Sequence, residues 1–111
     1  MKWQIEFYSE SVKQDTRLFP KKILAKVFHI FDMIEDLGPN LGKPHTDSFG
    51  GGLFEVRAKG EEGIGRSLFC YTKGKKIIIL HSFVKKTQKT PKRDIALALE
   101  RKKEIDNAGN K

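Results

Sequence analysis

The sequence predicts an α+β domain in which a mostly antiparallel sheet packs against helices on one face. Three observations carry this reading. An alternating apolar–polar segment opens the chain, a long segment with apolar residues at three- and four-residue steps follows it, and three more alternating segments joined by short glycine-bearing turns come next. The expected order is β-α-(α)-β-β-β-α, a single domain over residues 1–111.

Lys2 to Tyr8 places Trp3, Ile5 and Phe7 on one side and Lys2, Gln4 and Glu6 on the other, as a half-buried strand does. Ser9 to Phe19 fits a short helix, with Ser9 or Ser11 as its cap and Val12 and Leu18 turned inward. Pro20 then suits the first position of a longer helix, whose apolar set is Ile23, Leu24, Val27, Phe28, Ile30, Phe31, Ile34 and Leu37. Gly38 and Pro39 end it.

Asn40 to Gly52, rich in Gly, Pro, Asn, Asp and Ser, reads as a loop whose three glycines lead flexibly into the next strand. In Leu53 to Lys59 the alternation sends Phe54, Val56 and Ala58 to the core and Leu53, Glu55, Arg57 and Lys59 to the opposite face. Arg66 to Tyr71 and Lys76 to Val84 follow as strands, with Gly60 to Gly65 and Lys73-Gly74-Lys75 as their turns. Thr90 and Pro91 suit the cap and first position of a last helix, with Ile95, Ala98 and Leu99 as its stripe and Gly109 as its end. The N-terminal strand belongs at an edge or beside the strand of Lys76 to Val84. The face away from the long helix stays partly open.

Composition narrows the function. The 111 residues include 22 Lys and Arg against 14 Asp and Glu, a formal charge of +8, and are 38% hydrophobic, which excludes disorder throughout. Residues 1–63 hold nine bases and ten acids and residues 64–111 hold thirteen and four, so the whole excess lies in the second part. Such a field attracts polyanions, nucleic acid first, with an acidic protein or an anionic membrane surface behind it. One cysteine, Cys70, excludes a disulfide framework and a four-cysteine zinc site, and suits a reducing cytosol. No segment reaches the ~18 apolar residues of a membrane span, and MKWQIEFYSE is too polar for a signal peptide, so a cytoplasmic protein is expected.

The strongest local signal is Lys85 to Arg93, five positive residues in nine with no acid, where the last strand meets the last helix. Lysines at a strand end beside a helix N-terminus suit phosphate oxygens; a solvated charge run is the competing reading. Arg57 and Arg66 lie inside strands, where a long cation needs a reason to be. A surface pair between Glu55 and Arg57 is one reason. Convergence of Arg57, Arg66 and Lys85 on the open face, awaiting an anion, is another.

His81 is either a satisfied core histidine or a lining residue of that face. His29 reads as a packing or boundary residue, and His45 lies on the loop, within reach of a substrate. No pair of histidines has metal-ligand spacing, so neither a metal nor another cofactor is expected. Gly50-Gly51-Gly52 lacks the lysine and helix of a phosphate loop. Cys70, Trp3, Phe7 and Phe69 read as core.

Three motifs, Leu53-Phe54-Glu55-Val56-Arg57, Gly65-Arg66-Ser67-Leu68-Phe69-Cys70-Tyr71 and Ile79 through Pro91, resemble those of toxins of the RelE/HigB superfamily, in particular the phage-associated HigB-like branch. The resemblance runs from the first strand to the last helix. It implies a small RelE/ParE-like fold and a toxin of a toxin–antitoxin pair. The implied activity is that of a metal-independent, ribosome-dependent mRNA endoribonuclease. The implied partners are a HigA-like helix-turn-helix antitoxin, mRNA and ribosomal RNA at the A site, with operator DNA reached only through the antitoxin and no membrane.

Carried over by position, Arg57, Arg66 and the basic pair Lys85 and Lys86 are the site. Glu55 and Lys85 rank level as the base, with His45 and His81 behind, and Lys59, Lys73, Lys86, Lys89 and Lys92 are candidate RNA contacts. Many members supply a Tyr or His near the C-terminus for proton transfer, and none follows His81 here. A ParE-like gyrase inhibitor and a non-catalytic RNA-binding module are the alternatives.

Overall fold

In the computed structural model, which describes residues 2–109, the elements run β1 (Gln4–Phe7), α1 (Glu10–Arg17), α2 (Lys21–Leu37), β2 (Thr46–Gly50), β3 (Leu53–Gly60), β4 (Gly63–Thr72), β5 (Lys76–Lys85) and α3 (Lys92–Gly109). The strands form one sheet in the order β1-β5-β4-β3-β2. All neighbours are antiparallel except β1, which lies parallel to β5 at the sheet edge, the position expected for it. Among the described residues no helix is long and apolar enough to cross a membrane.

The Ser9 hydroxyl accepts the Val12 N–H at 3.2 Å and so supplies the cap that starts α1. Val12 and Thr16 face the sheet; Leu18, expected inward, is 79% exposed, and the neighbouring Phe19 takes the buried place. Pro20 precedes α2 instead of opening it. Its ψ of 143° is extended, and its carbonyl already accepts the Leu24 N–H, as a capping residue's does. Ile23, Val27, Ile30, Phe31 and Ile34 form the buried stripe of α2, while Phe28 and Leu37, expected on it, are exposed. Gly38, at φ +94°, ends the helix where a Cβ would lie 3.2 Å from the Trp3 indole nitrogen.

The expected loop 40–52 contains a strand. Thr46–Gly50 pairs with β3, with a bulge between Ser48 and Gly50, and the turn that follows uses the positive φ of Gly50, Gly51 and Gly52. β2 lacks an alternating apolar signature because it is a mostly exposed edge strand.

On one sheet face Phe54, Val56, Ala58, Phe69, Ile77 and Ile79 pack against Val12, Phe19 and the α2 stripe. α2 comes so close that a Cβ at Gly65 would collide with Ile23 Cγ2. The helical cover was expected on this face alone, but α3 lies on the other. There Ala98, with Ile95 and Ile105, packs on Leu53, Leu68, Cys70, Ile78 and Leu80. Leu99, expected in that stripe, is 46% exposed. Arg101 helps fasten α3 to the strands by donating to the Leu80 carbonyl at 2.7 Å.

Candidate active site

β3, β4 and β5 meet in a register that builds the site in rows. Arg57 is directly opposite Arg66, and Arg66 opposite Phe83; one row along, Glu55 faces Leu68 and Leu68 faces His81; on the other side, Lys59 faces Ile64 and Ile64 faces Lys85. Directly opposed residues share a sheet face. Glu55, Arg57, Arg66, His81, Phe83 and Lys85 therefore share the face that α3 partly covers. In β5 this required a break in the alternation. Leu68 pairs with His81 but Phe69 pairs with Ile79, so Leu80 is an extra residue and the faces exchange after it. His81 and Phe83 thereby leave the face of Ile77 and Ile79.

At the centre is a fully buried carboxylate. Glu55 Oε1 accepts from Arg57 Nη1 at 2.8 Å; Oε2 accepts from the Thr90 hydroxyl and lies 3.7 Å from Arg66 Nε. Thr90, expected to cap α3, is thus spent on Glu55. The Pro91 carbonyl accepts the Asp94 and Ile95 N–H groups at 3.1 and 3.2 Å, one residue before the helix starts.

Arg66, expected to meet a phosphate, has no exposed surface. Its guanidinium donates to the Lys85 carbonyl at 3.2 Å, the Gln88 carbonyl at 3.1 Å and the Thr87 carbonyl, and so folds the basic segment back over the sheet. Burial, then the charge of Arg57, lowers its pKa from the ordinary arginine value, with Glu55 and Asp94 opposing. Its Nε is the one buried side-chain polar atom among the described residues without a hydrogen bond. Arg57 is a quarter exposed and also reaches the Gln88 carbonyl, at 2.7 Å.

A second cluster begins at Asp94, in the first turn of α3. One oxygen is 2.8 Å from His81 Nε2 and the other 2.8 Å from Lys85 Nζ. Burial pushes the Asp94 carboxyl up, but the hydrogen bonds and charges of Lys85 and His81 outweigh it and hold the pKa below the ordinary carboxylate value. The Phe83 ring lies 4.9 Å from the His81 ring, with Lys85 Nζ 5.3 Å and Arg66 5.9 Å from its centroid. Those distances suit cation–π attraction.

Arg57 and Lys85 are thus the partly exposed cations, and His81 the imidazole, of one surface. Lys86, Lys89 and Lys92 are exposed on the segment beside it and Lys59 on β3. Lys73 sits in the β4–β5 turn, at the far end of a strand about 30 Å long. His45 is half-buried just before β2, and its carbonyl accepts the Arg57 N–H at 3.0 Å. His29, expected as a packing or boundary residue, is exposed on α2. Cys70 is core, and burial raises its thiol pKa to about 11. Sequence reasoning missed Asp94, Thr90 and Phe83 as site components. The signal for Asp94 was present: it is the one acid between Glu62 and Glu100.

Residues 14–103 match the family described as phage derived protein Gp49-like (DUF891). No curated protein matches the sequence. Among solved structures, the fold is similar to that of the E. coli toxin RelE, a doubly arginine-substituted mutant in the free state. The TM-score is 0.66 at 9% sequence identity, covering 91% of this chain and 98% of that one.

Proposed function

The chain belongs to the phage-derived Gp49-like family, a toxin family of the RelE and HigB type, and from that premise we propose that it is a ribosome-dependent mRNA endoribonuclease. The observation that carries this is the convergence, on one sheet face, of Arg57 and Lys85 as accessible cations beside an imidazole already bound to a carboxylate.

In the proposed reaction the RNA 2′-hydroxyl attacks the adjacent phosphorus. The P–O5′ bond breaks, leaving a 2′,3′-cyclic phosphate and a 5′-hydroxyl. Negative charge grows on the phosphoryl oxygens, and Arg57 and Lys85 meet it with preorganised donors. His81 takes the proton from the 2′-hydroxyl as it attacks and returns it to the departing 5′-oxygen. With Nε2 held on Asp94, Nδ1 is the nitrogen that turns to the RNA, and the carboxylate fixes the tautomer. Both oxygens of Glu55 are engaged by Arg57 and Thr90, so its role is to position Arg57 and the segment that carries Lys85. Arg66 positions from beneath, through the carbonyls of residues 85, 87 and 88. A toxin of this type has an antitoxin partner; we assign it to the HigA-like helix-turn-helix class, with the exposed Lys86, Lys89 and Lys92 steering the toxin onto ribosomal RNA.

Primer extension on a defined mRNA, with and without programmed ribosomes, tests the reading. Wild-type protein should cut A-site codons only with ribosomes, and Arg57→Ala should slow the cut about 100- to 1,000-fold. Intact RNA in every arm, from folded protein that inhibits gyrase supercoiling, would replace it with the gyrase reading.

A further inference from the structure

A cleft of about 570 Å³ runs along the outer edge of β3, and apart from Arg57 and Gln88 its lining takes no part in the chemistry above. It exists because β2 stops short. The ladder between them ends at Thr46 and Val56, one more bond joins Arg57 N–H to the His45 carbonyl, and residues 58–60, paired with β4 on one side, have no strand on the other. α2 forms one wall and Gln88 of the basic segment reaches the other, so the cleft straddles the sheet edge.

Its lining combines two chemistries. Lys26, Arg57 and Lys59 are cations, His29 and His45 are imidazoles, and no lining residue is acidic. The remaining wall is largely aliphatic, with Ile30 and Ile64 as its largest members. Cations without acids select an anion, whereas apolar wall and flat rings select an apolar or aromatic body. A nucleotide has both parts. We propose that this cleft binds one nucleotide of a single-stranded RNA, the base against the imidazoles and aliphatic wall, the phosphate at Lys26 and Lys59.

Two further observations support that occupant. The volume lies within the range of small-ligand sites, roughly 300–1,000 Å³. A peptide strand added to the free edge would find only three residues, and the Lys59 carbonyl among them already accepts Lys26 Nζ at 2.5 Å. The cleft shares Arg57 and Gln88 with the candidate active site, so a strand whose scissile phosphate sits at Arg57 delivers a neighbouring nucleotide here. The cleft then reads the base that flanks the cut. This assignment to RNA rests on the ribonuclease reading; occupation by a nucleotide does not need cleavage.

The test is a ¹H–¹⁵N titration of the full chain with each of the four 5′-mononucleotides, using inorganic phosphate and ribose 5-phosphate as base-free probes. Nucleotides should shift the amides of Lys26, His29, His45 and Lys59 saturably, and Lys26→Glu and His29→Ala, both on the exposed side of α2, should each weaken binding about tenfold. Added salt should weaken it further. Three outcomes would overturn the proposal: no saturation, equal shifts from phosphate alone, or movement of these amides only when a partner protein is added. A chain that cuts RNA with the cleft empty refutes the cleft and leaves the nuclease standing; a filled cleft on a chain that cuts nothing does the reverse.

Discussion

The two faces of the sheet use the same strands to opposite ends. Beneath α1 and α2 the face is apolar, relieved by a short hydroxyl chain in which Thr16 Oγ1 is 2.7 Å from Ser82 Oγ and Ser67 Oγ 2.9 Å from it. Beneath α3 the apolar patch covers only part of the face, and beyond Leu53 and Leu68 it gives way to Glu55, Arg57, Arg66, His81 and Lys85. The first face fails gradually when atoms are removed. The second depends on mutual compensation, since each buried charge is tolerable only while its partner is present.

The largest effect that contrast predicts is at Glu55. Glu55→Ala strands the buried Arg66 and should cost about 3–5 kcal/mol in urea denaturation. Replacing the pair together, Glu55→Leu with Arg66→Met, should recover most of that loss. If the two losses simply add, the polar face is no more cooperative than the apolar one and the contrast breaks.

A smaller effect belongs to the apolar face. Gly65→Ala forces a Cβ into Ile23, and thermal unfolding should register a loss of about 1–3 kcal/mol. In an Ile23→Ala background, which lacks that Cγ2, the added cost of Gly65→Ala should shrink.

The smallest is a pH effect. The folded pKa of Asp94 lies below its unfolded value, so its contribution is present above the ordinary carboxylate range and lost as pH falls through the folded pKa. Asp94→Asn should remove that part of the acid slope of the stability curve, and a slope left unchanged would show that Lys85 and His81 do not hold the carboxylate in solution.

Much of the fold was legible because its strands obey their period. Phe54, Val56 and Ala58 fall where alternation puts them, and Ser9, Gly38 and the Lys73–Lys75 turn mark their boundaries. What was hidden broke a period or had none. The polar β2 lies at an edge and needs no apolar side. One extra residue at Leu80 moved His81 to the other face. In the site, Arg57, Arg66 and Lys85 were legible as cations, and the cross-strand pairing joins Arg57 to Arg66. Their difference in exposure was not, because it depends on the segment after Lys85 folding back onto Arg66, a long-range contact that no local pattern encodes.

The parallel pairing of β1 with β5 also bears on the order of synthesis. Gln4 to Phe7 finds its partners at Lys76 to Ile79, so the first strand made must wait for more than seventy further residues before it can join the sheet. At about 5–20 residues per second that is roughly 4–14 s of elongation. Asp94, which holds His81 and Lys85, is made later still. A nascent chain therefore carries its basic residues before it can carry their arrangement, and the proposed toxic surface comes together only after Asp94 has been made.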